Sequence, residues 1–497
     1  GKTLIAFDLR SRHLAMNDLL GNRSRLYIPK DYQREVGSNI WLRSKVELRY
    51  DSSFRFANIR IGNVSGSLLR HDYQLDSIMG NVKFGVDNYV KIDTLKGKIG
   101  RSDFLINMRL YAGTDTNRRK KENYLQFNSR FLDVDQLTNY YQTAGQADTL
   151  ASPPPAEDST GLTTAAPAND STAQVSSPAD TAAIAATRPP SAPVSPQATA
   201  PLTVTPAVEA SPSASSPATF HQGFNIFQIP FIDFNASVHV NHLRYHHLGI
   251  RNFETTLRMR TNQQLYLDTL DMNVAGGSIS ASGQFNGVDS HKVFRKSRIN
   301  VEDVDVGKLM VKLDYLGQDY VINKNIRGSL SGQVDSYLQM TSDLTPMVAH
   351  SEARIDLEIL NGSLVNFAPM HAVSGYFKDK NLNMIRFDTL RNTLTLKNGI
   401  LSIPDMDINS SLGYMEISGQ QSMDTHMEYY LRIPLKLVTE AGFHKLFGKK
   451  REEVNPDQVD AIEYRDKEKK VRFMNLKIVG TPDDYKVSLG KAKKSQS

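Results

Sequence analysis

Six residues, Met427, Tyr429, Leu431, Ile433, Leu435 and Leu437, alternate with Glu428, Tyr430, Arg432, Pro434 and Lys436. A period of two puts one apolar row on one face of a β-strand and a mostly wet row on the other. Pro434 cannot donate to a ladder, which predicts an edge or a bulge there. Shorter runs repeat the alternation: Phe54 with Phe56, Ile59 with Ile61, Leu265 with Leu267, Leu270 with Met272 and Val274, Leu394 with Leu396, Leu401 with Ile403. Turn-forming residues such as Asn63, Gly97, Gly100, Gly276-Gly277, Asn286-Gly287, Asn361-Gly362 and Asn398-Gly399 fall between them. The spacing predicts a long antiparallel meander, and sustained helical periodicity is scarce.

One interruption is plain. Residues 151–219 hold 13 of the 21 prolines, 18 alanines and no aromatic residue. Such a stretch buries too little apolar surface to offset its ordering entropy, so it is expected to be a disordered linker. It divides the chain into a folded part at 1–150 and a second at 220–490, followed by a polar tail at 491–497. The segment Val438–Arg451 is the best helix candidate, either an amphipathic element touching an anionic surface or a helix closing the end of the sheet.

Two kinds of repeat run through both folded parts. SRHLAMNDLL (Ser11–Leu20), SRFLDVDQLT (Ser129–Thr138) and VEDVDVGKLM (Val301–Met310) each read as a short strand, a polar turn and a leucine position. Asn17 or Asp135 is expected to cap a single helical turn whose Leu19 or Leu137 folds back on the sheet. The second repeat is longer: Leu267–Phe285 (LDTLDMNVAGGSISASGQF) matches the start of Ile92–Leu110 (IDTLKGKIGRSDFLINMRL) and most of Ile403–Gln420 (IPDMDINSSLGYMEISGQ). The chain is built of β-hairpin units.

These residues resemble a known family. The strand followed by D-x-x-x-L, the paired Gly276-Gly277 before SISASGQF, the run Ile359–Met370 (ILNGSLVNFAPM) and the closing Met474–Gly490 (MNLKIVGTPDDYKVSLG) are similar to AsmA-like proteins, in particular Bacteroidetes-type members. The resemblance covers most of both folded parts and excludes the linker. It implies an all-β fold, an elongated, twisted antiparallel β-groove or half-pipe made of repeated hairpins with a few short helices. It also implies a periplasmic protein of a two-membrane bacterium, held in the inner membrane by an upstream helix, that moves phospholipid toward the outer membrane and supports its biogenesis. An outer-membrane protein is a possible partner on the same grounds.

Elementary physics points the same way. A long sheet with one apolar face must cover it with another sheet, with helices or with a ligand. Acyl chains match such a face, because each buried CH₂ is worth about 0.8 kcal/mol and sliding along an apolar track keeps the tails out of water. The expected groove lining is Phe54, Phe56, Leu265, Leu267, Leu270, Met272, Met427, Tyr429, Leu431, Ile433, Leu435 and Leu437. At about 12 residues per strand and about 4.8 Å per strand, the stack would be roughly 150 Å long. Taken alone, each stripe also fits the core face of an ordinary sandwich or barrel. A different class of function, a non-transport envelope scaffold or outer-membrane protein assembly factor that pairs exposed strand edges with a client, stays open beside the conduit.

Charge and chemistry exclude other readings. The net charge is +6 with a pI near 9.1. Residues 1–150 carry 24 Lys and Arg against 16 Asp and Glu, 151–219 carry 1 against 5, and 220–497 carry 34 against 32. No segment is a polybasic stripe, so nucleic acid is not an expected partner. The clusters Arg118-Arg119-Lys120-Lys121 and Lys449-Lys450-Arg451 read as solvated loops. With no cysteine, thiol nucleophiles and Cys-ligated metals are out. No phosphate-binding loop, HExxH helix or GxSxG elbow is present, and no catalytic residue, metal or cofactor is assigned. His239, His242, His246 and His247 read as strand histidines. Asp133 with Asp135, Asp303 with Asp305 and Asp405 with Asp407 read as turn residues accepting backbone N–H bonds. The single Trp41 leaves little aromatic surface for a polysaccharide enzyme. The chain begins at Gly1, and a targeting or anchoring segment is expected upstream. The most apolar window, Phe224–Phe234, contains Pro230 and is too short to span a bilayer.

Overall fold

The structure, a computed structural model, describes residues 1–19, 33–86, 89–113, 115–119, 121–138, 226–228, 231–312, 326–366, 381–422, 425–435, 461–465, 471–481 and 484–490. The linker at 151–219, the helix candidate at 438–451 and the tail lie outside them. The first folded part supplies β1 (Lys2–Ala15), β2 (Val36–Tyr50), β3 (Phe54–Leu68), β4 (Tyr73–Gly85), β5 (Tyr89–Ile99), β6 (Ser102–Leu110) and β7 (Tyr124–Asp133). The second supplies β8 (Phe234–Tyr245), β9 (Leu248–Arg260), β10 (Gln264–Val274), β11 (Gly277–Asn286), β12 (Val293–Asp305), β13 (Ile326–Met340) and β14 (Glu352–Val365). It continues through β15 (Met384–Lys397), β16 (Ile400–Ser410), β17 (Gly413–Ser422), β18 (Met427–Pro434), β19 (Phe473–Gly480) and β20 (Tyr485–Leu489). Four short helices are described: α1 (Met16–Leu19), α2 (Thr116–Arg119), α3 (Val134–Leu137) and α4 (Val306–Lys312).

Each strand is hydrogen-bonded to the next one along the chain, so all twenty belong to a single sheet. β1 and β20 do not pair, and the sheet is a long twisted groove rather than a closed barrel. One seam departs from the expected antiparallel pattern. β7 and β8 run parallel, with Tyr124 opposite Asn235 and Asp133 opposite Arg244. A parallel pair needs a crossover instead of a hairpin, and residues 134–233, which contain the Ala/Pro-rich segment, make it. Twenty strands at about 4.8 Å amount to roughly 90 Å, shorter than the sequence estimate. Many strands run to 13–15 residues, and long connections such as 16–35, 306–325 and 435–472 take up the rest.

The longer repeat has a definite structural meaning. Between Ile92 and Leu95, between Leu267 and Leu270 and between Ile403 and Met406 the register slips by one residue against the following strand. Each slip is a β-bulge that keeps two apolar residues on the same face although they stand three apart in sequence. Bulges also increase local twist. The paired glycines serve the adjoining turn. Gly276 has φ +92°, and a Cβ on Gly277 would stand 2.1 Å from the Glu302 carbonyl oxygen. Neither position accepts a side chain without strain.

The shorter repeat marks one rim. β1, β7 and β12 all end there, and each runs into a helix: α1, α3 and α4. The capping residue is Asp133 rather than the expected Asp135: its side chain accepts the Gln136 N–H at 2.9 Å. Asp305 does the same for Lys308 at 3.0 Å. Ala15 fills the equivalent position in the first repeat and has no side-chain oxygen to offer, and Asn17 lies within α1. Leu309 folds back onto Leu248, Ile250 and Val274 as the repeat predicts. The other two packed clusters also lie toward this rim, one around Ile359, Phe387 and Ile408 and one around Ile385, Leu412, Ile433 and Leu476. Pro434 is the last residue of β18, a position where a missing donor costs little.

Candidate functional site: a continuous apolar sheet face

The registers connect one row of side chains across the sheet. From β1 to β10 directly opposed residues are Ile5, Val46, Ile59, Val82, Ile92, Met108, Leu125, Ala236, Leu257 and Leu267. The row crosses the parallel seam at Leu125 and Ala236 without a polar break. A neighbouring row carries it on from β10 to β15 through Leu270, Ala281, Ile299, Val334, Ile355 and Leu394. Beside it Gly283, Ser297, Ser336 and Ala353 form a small-residue strip, with the Ser297 and Ser336 hydroxyls bonded to each other at 2.7 Å.

Among the described residues no layer of sheet or helix covers this row; only its margins are capped, by Leu309 over Val274 at one rim and by Phe231 stacked on Phe285 at the other. Each strand packs mainly against its sheet neighbours, and the described helices meet the sheet near its rims, as where Leu309 of α4 packs on Leu248, Ile250 and Val274. Most residues along the row are half-buried by their neighbours, Val82 is buried, and those on β1 are exposed: Ile5 is 45% exposed and Phe7 39%. Among the described residues no helix is long and apolar enough to cross a membrane.

The expected lining residues separate into three groups. Leu265, Leu267 and Leu270 lie on the open face and are half-buried, whereas Met272, on the same side, packs against the rim cluster of Leu248, Ile250 and Val274. Met427, Leu431 and Ile433 share its side of the sheet but are at most 3% exposed, Leu431 and Ile433 being packed with Leu412, Met415 and Leu476. They are closed core, not open lining, because the sheet's own side chains fill its last strands. Tyr429 is partly buried there and donates to Gln421 at 2.7 Å, its ionisation pushed up by burial. Leu435 is half-buried at the end of the same row, and Leu437 lies outside the described residues. Phe56 corrects the reading of β3. It stands opposite Arg49, one residue out of step with Ala57 and Ile59, with the Lys83 ammonium 4.2 Å from its ring centroid on the polar face. Phe54, next to it across a bulge, is exposed at the turn opposite Tyr50.

The other face is a lattice of opposite charges. Arg258 meets Asp268 at 2.5 Å, Arg298 meets Asp335 at 2.6 Å and Arg354 meets Asp356 at 2.8 Å. Lys477 beside Glu428, helped by Tyr430, holds that carboxyl at about 2. Such exposed pairs add little stability, but they keep the face wet and fix its sidedness. Buried carboxylates occur at the rim that bears α1, α3 and α4. Glu35 bonds to His71 and accepts the Val36 and Arg70 N–H groups at 2.9 and 2.8 Å. Burial raises its pKa, but those bonds outweigh it and hold the carboxyl below its usual range. Asp135, fully buried, accepts His246 N–H at 2.5 Å and His247 N–H at 2.7 Å.

The carboxylate pairs behave as turn and capping groups at Asp133, Asp135 and Asp305, whereas Asp407 accepts the Tyr414 hydroxyl at 2.6 Å. His239 stands 2.9 Å from Glu254, and His246 and His247 form the β8–β9 turn. Among the described residues no three His, Asp or Glu side chains gather as a metal site. Sequence reasoning missed most of the track on β1–β9. The available signal was the apolar pair three residues apart around Asp-Thr or Pro-Asp, which a strict period of two passes over.

No family model matches the chain, and neither does any curated protein or solved structure.

Proposed function

We propose that this protein is a periplasmic lipid conduit, belonging with the AsmA-like proteins it resembles, which carries phospholipid acyl chains along the apolar face of its sheet between the inner and outer membranes. The observation that carries the reading is the row running from Ile5 to Leu267 and on to Leu394 with no described layer above it. An apolar face of that extent needs an occupant, and an amphiphile whose tails lie on the face while its head stays in water satisfies both sides of the energetics. No reacting group is required. Anchoring in the inner membrane and delivery to an outer-membrane protein belong to the same proposal.

Native mass spectrometry of the detergent-free protein, with extraction and identification of bound lipid, tests it. The expected result is co-purifying phospholipid. A well-folded protein that is free of lipid in repeated preparations would move the reading to an envelope scaffold.

A further inference from the structure

Among the described residues, the parallel seam leaves a gap where its two strands begin. At an antiparallel seam the chain joins the two strands at one rim, but β7 and β8 both begin at the rim opposite α1, α3 and α4, where α2 precedes β7, and no direct connection joins them there. Two incoming segments lie side by side instead: Asn235 N–H donates to the Asn123 carbonyl at 3.0 Å, and the Asn123 amide donates to the Asp233 carbonyl at 3.0 Å. Between them and the β9–β10 turn opens a concavity of about 680 Å³, a size suited to a small polar ligand.

Its wall is cationic. Arg119, Lys121 and Arg260 line it together with the carboxylates of Glu122 and Asp233. None of the three cations makes an ion pair among the described residues, in contrast to the paired arginines elsewhere on the polar face. The nearby Asp268 is already clamped by Arg258 at 2.5 Å. Arg109, 7% exposed, holds the wall in shape by donating to the Lys121 and Glu122 carbonyls at 2.6 and 2.9 Å. The apolar side of the same concavity is Ile232 and Phe234, and Phe234, opposite Met259, belongs to the apolar face.

We infer that this pocket receives the phosphate of a phospholipid headgroup whose tails lie on the apolar face beginning at Phe234. The inference rests on the conduit reading and adds to it a station where the headgroup is recognised. Guanidinium and ammonium groups without carboxylate partners favour a phosphodiester, and a neutral lipid offers them nothing. Half of the basic cluster at 118–121, which the sequence reads as a solvated loop, would then bind ligand.

The test titrates the full chain with dihexanoyl phosphatidylglycerol, with dihexanoylglycerol carrying the same tails, and with inorganic phosphate. Wild type is compared with Arg119→Gln/Lys121→Gln/Arg260→Gln, which gives up the bonds from Arg119 to the Gly113 carbonyl and from Arg260 to Asn235 and the Met259 carbonyl, and the comparison is made on variant protein whose circular-dichroism spectrum matches wild type. The inference expects phosphatidylglycerol to bind roughly tenfold or more weakly to the variant, with dihexanoylglycerol unchanged. Restoring the three positions as lysines should recover most of the affinity. Equal phosphatidylglycerol affinity in wild type and variant, with dihexanoylglycerol still bound, would overturn the headgroup pocket and leave the conduit standing. Failure of wild type to bind either lipid would overturn both. Inorganic phosphate that displaces the lipid at equal concentration would make this a free-anion site and overturn the lipid assignment.

Discussion

Ile92→Asp/Leu95→Asp will stop lipid transfer along the sheet, and Leu267→Asp/Leu270→Asp, five strands away, will stop it equally. Both pairs flank a bulge and set two carboxylates across the same apolar face. A one-dimensional path is limited by its worst point, so the position of the barrier should not matter. Uncovering about two methylenes on each of two chains at that point costs roughly 3 kcal/mol, on the order of a hundredfold in rate. All four residues are half-buried on a face with no described covering layer, so the substitutions leave the sheet's packed clusters untouched. Transfer of a fluorescent phospholipid between donor and acceptor vesicles reads the effect. If only one of the two pairs mattered, the protein would have a local site and not a track.

The second large effect is on stability. Asp135→Ala is expected to cost about 3–5 kcal/mol, read as a lower urea midpoint at unchanged slope. The carboxylate is fully buried and accepts both N–H groups of the turn residues His246 and His247, which have φ of +47° and +60°. Removing it strands two donors inside a turn that is already costly for non-glycine residues. The same residue ties α3, which follows β7, to the β8–β9 turn, so it helps hold the parallel seam together. Asp135→Asn, which keeps one acceptor, should lose less. An Asp135→Ala protein as stable as wild type would mean the seam is held by other contacts.

That residue shows how far the sequence could be read. The repeat SRFLDVDQLT announces a helical turn at the end of a strand, and α3 is there, but spacing alone could not tell which of Asp133 and Asp135 faces the helix. The cap has to sit where its oxygen reaches the third following N–H, which is Asp133; Asp135 is freed to reach a turn 111 residues away. Strands were legible wherever alternation was strict, as at Met427 to Ile433. Ironically for function, strictness there marks closed core, since an undisturbed strand packs best. The open track was harder to see because bulges break its period, as at Ile92 and Leu95, and because it is assembled from registers between strands, which no single segment encodes. Phe56 was misread for the opposite reason: no bulge separates it from Ile59, so two apolar residues three apart fall on opposite faces. The parallel seam follows from a crossover about a hundred residues long, and composition says nothing about where such a connection returns.

The most direct test of the conduit places a photo-crosslinking amino acid at adjacent residues that point to opposite faces: Ile59 and Arg60 on β3, Leu267 and Asp268 on β10, Ile355 and Arg354 on β14. The protein is expressed in a two-membrane bacterium, irradiated and analysed for covalently attached phospholipid. The account predicts lipid adducts at Ile59, Leu267 and Ile355, and none at the three polar-face neighbours. Adducts at none of the six positions, or equally on both faces, would contradict it.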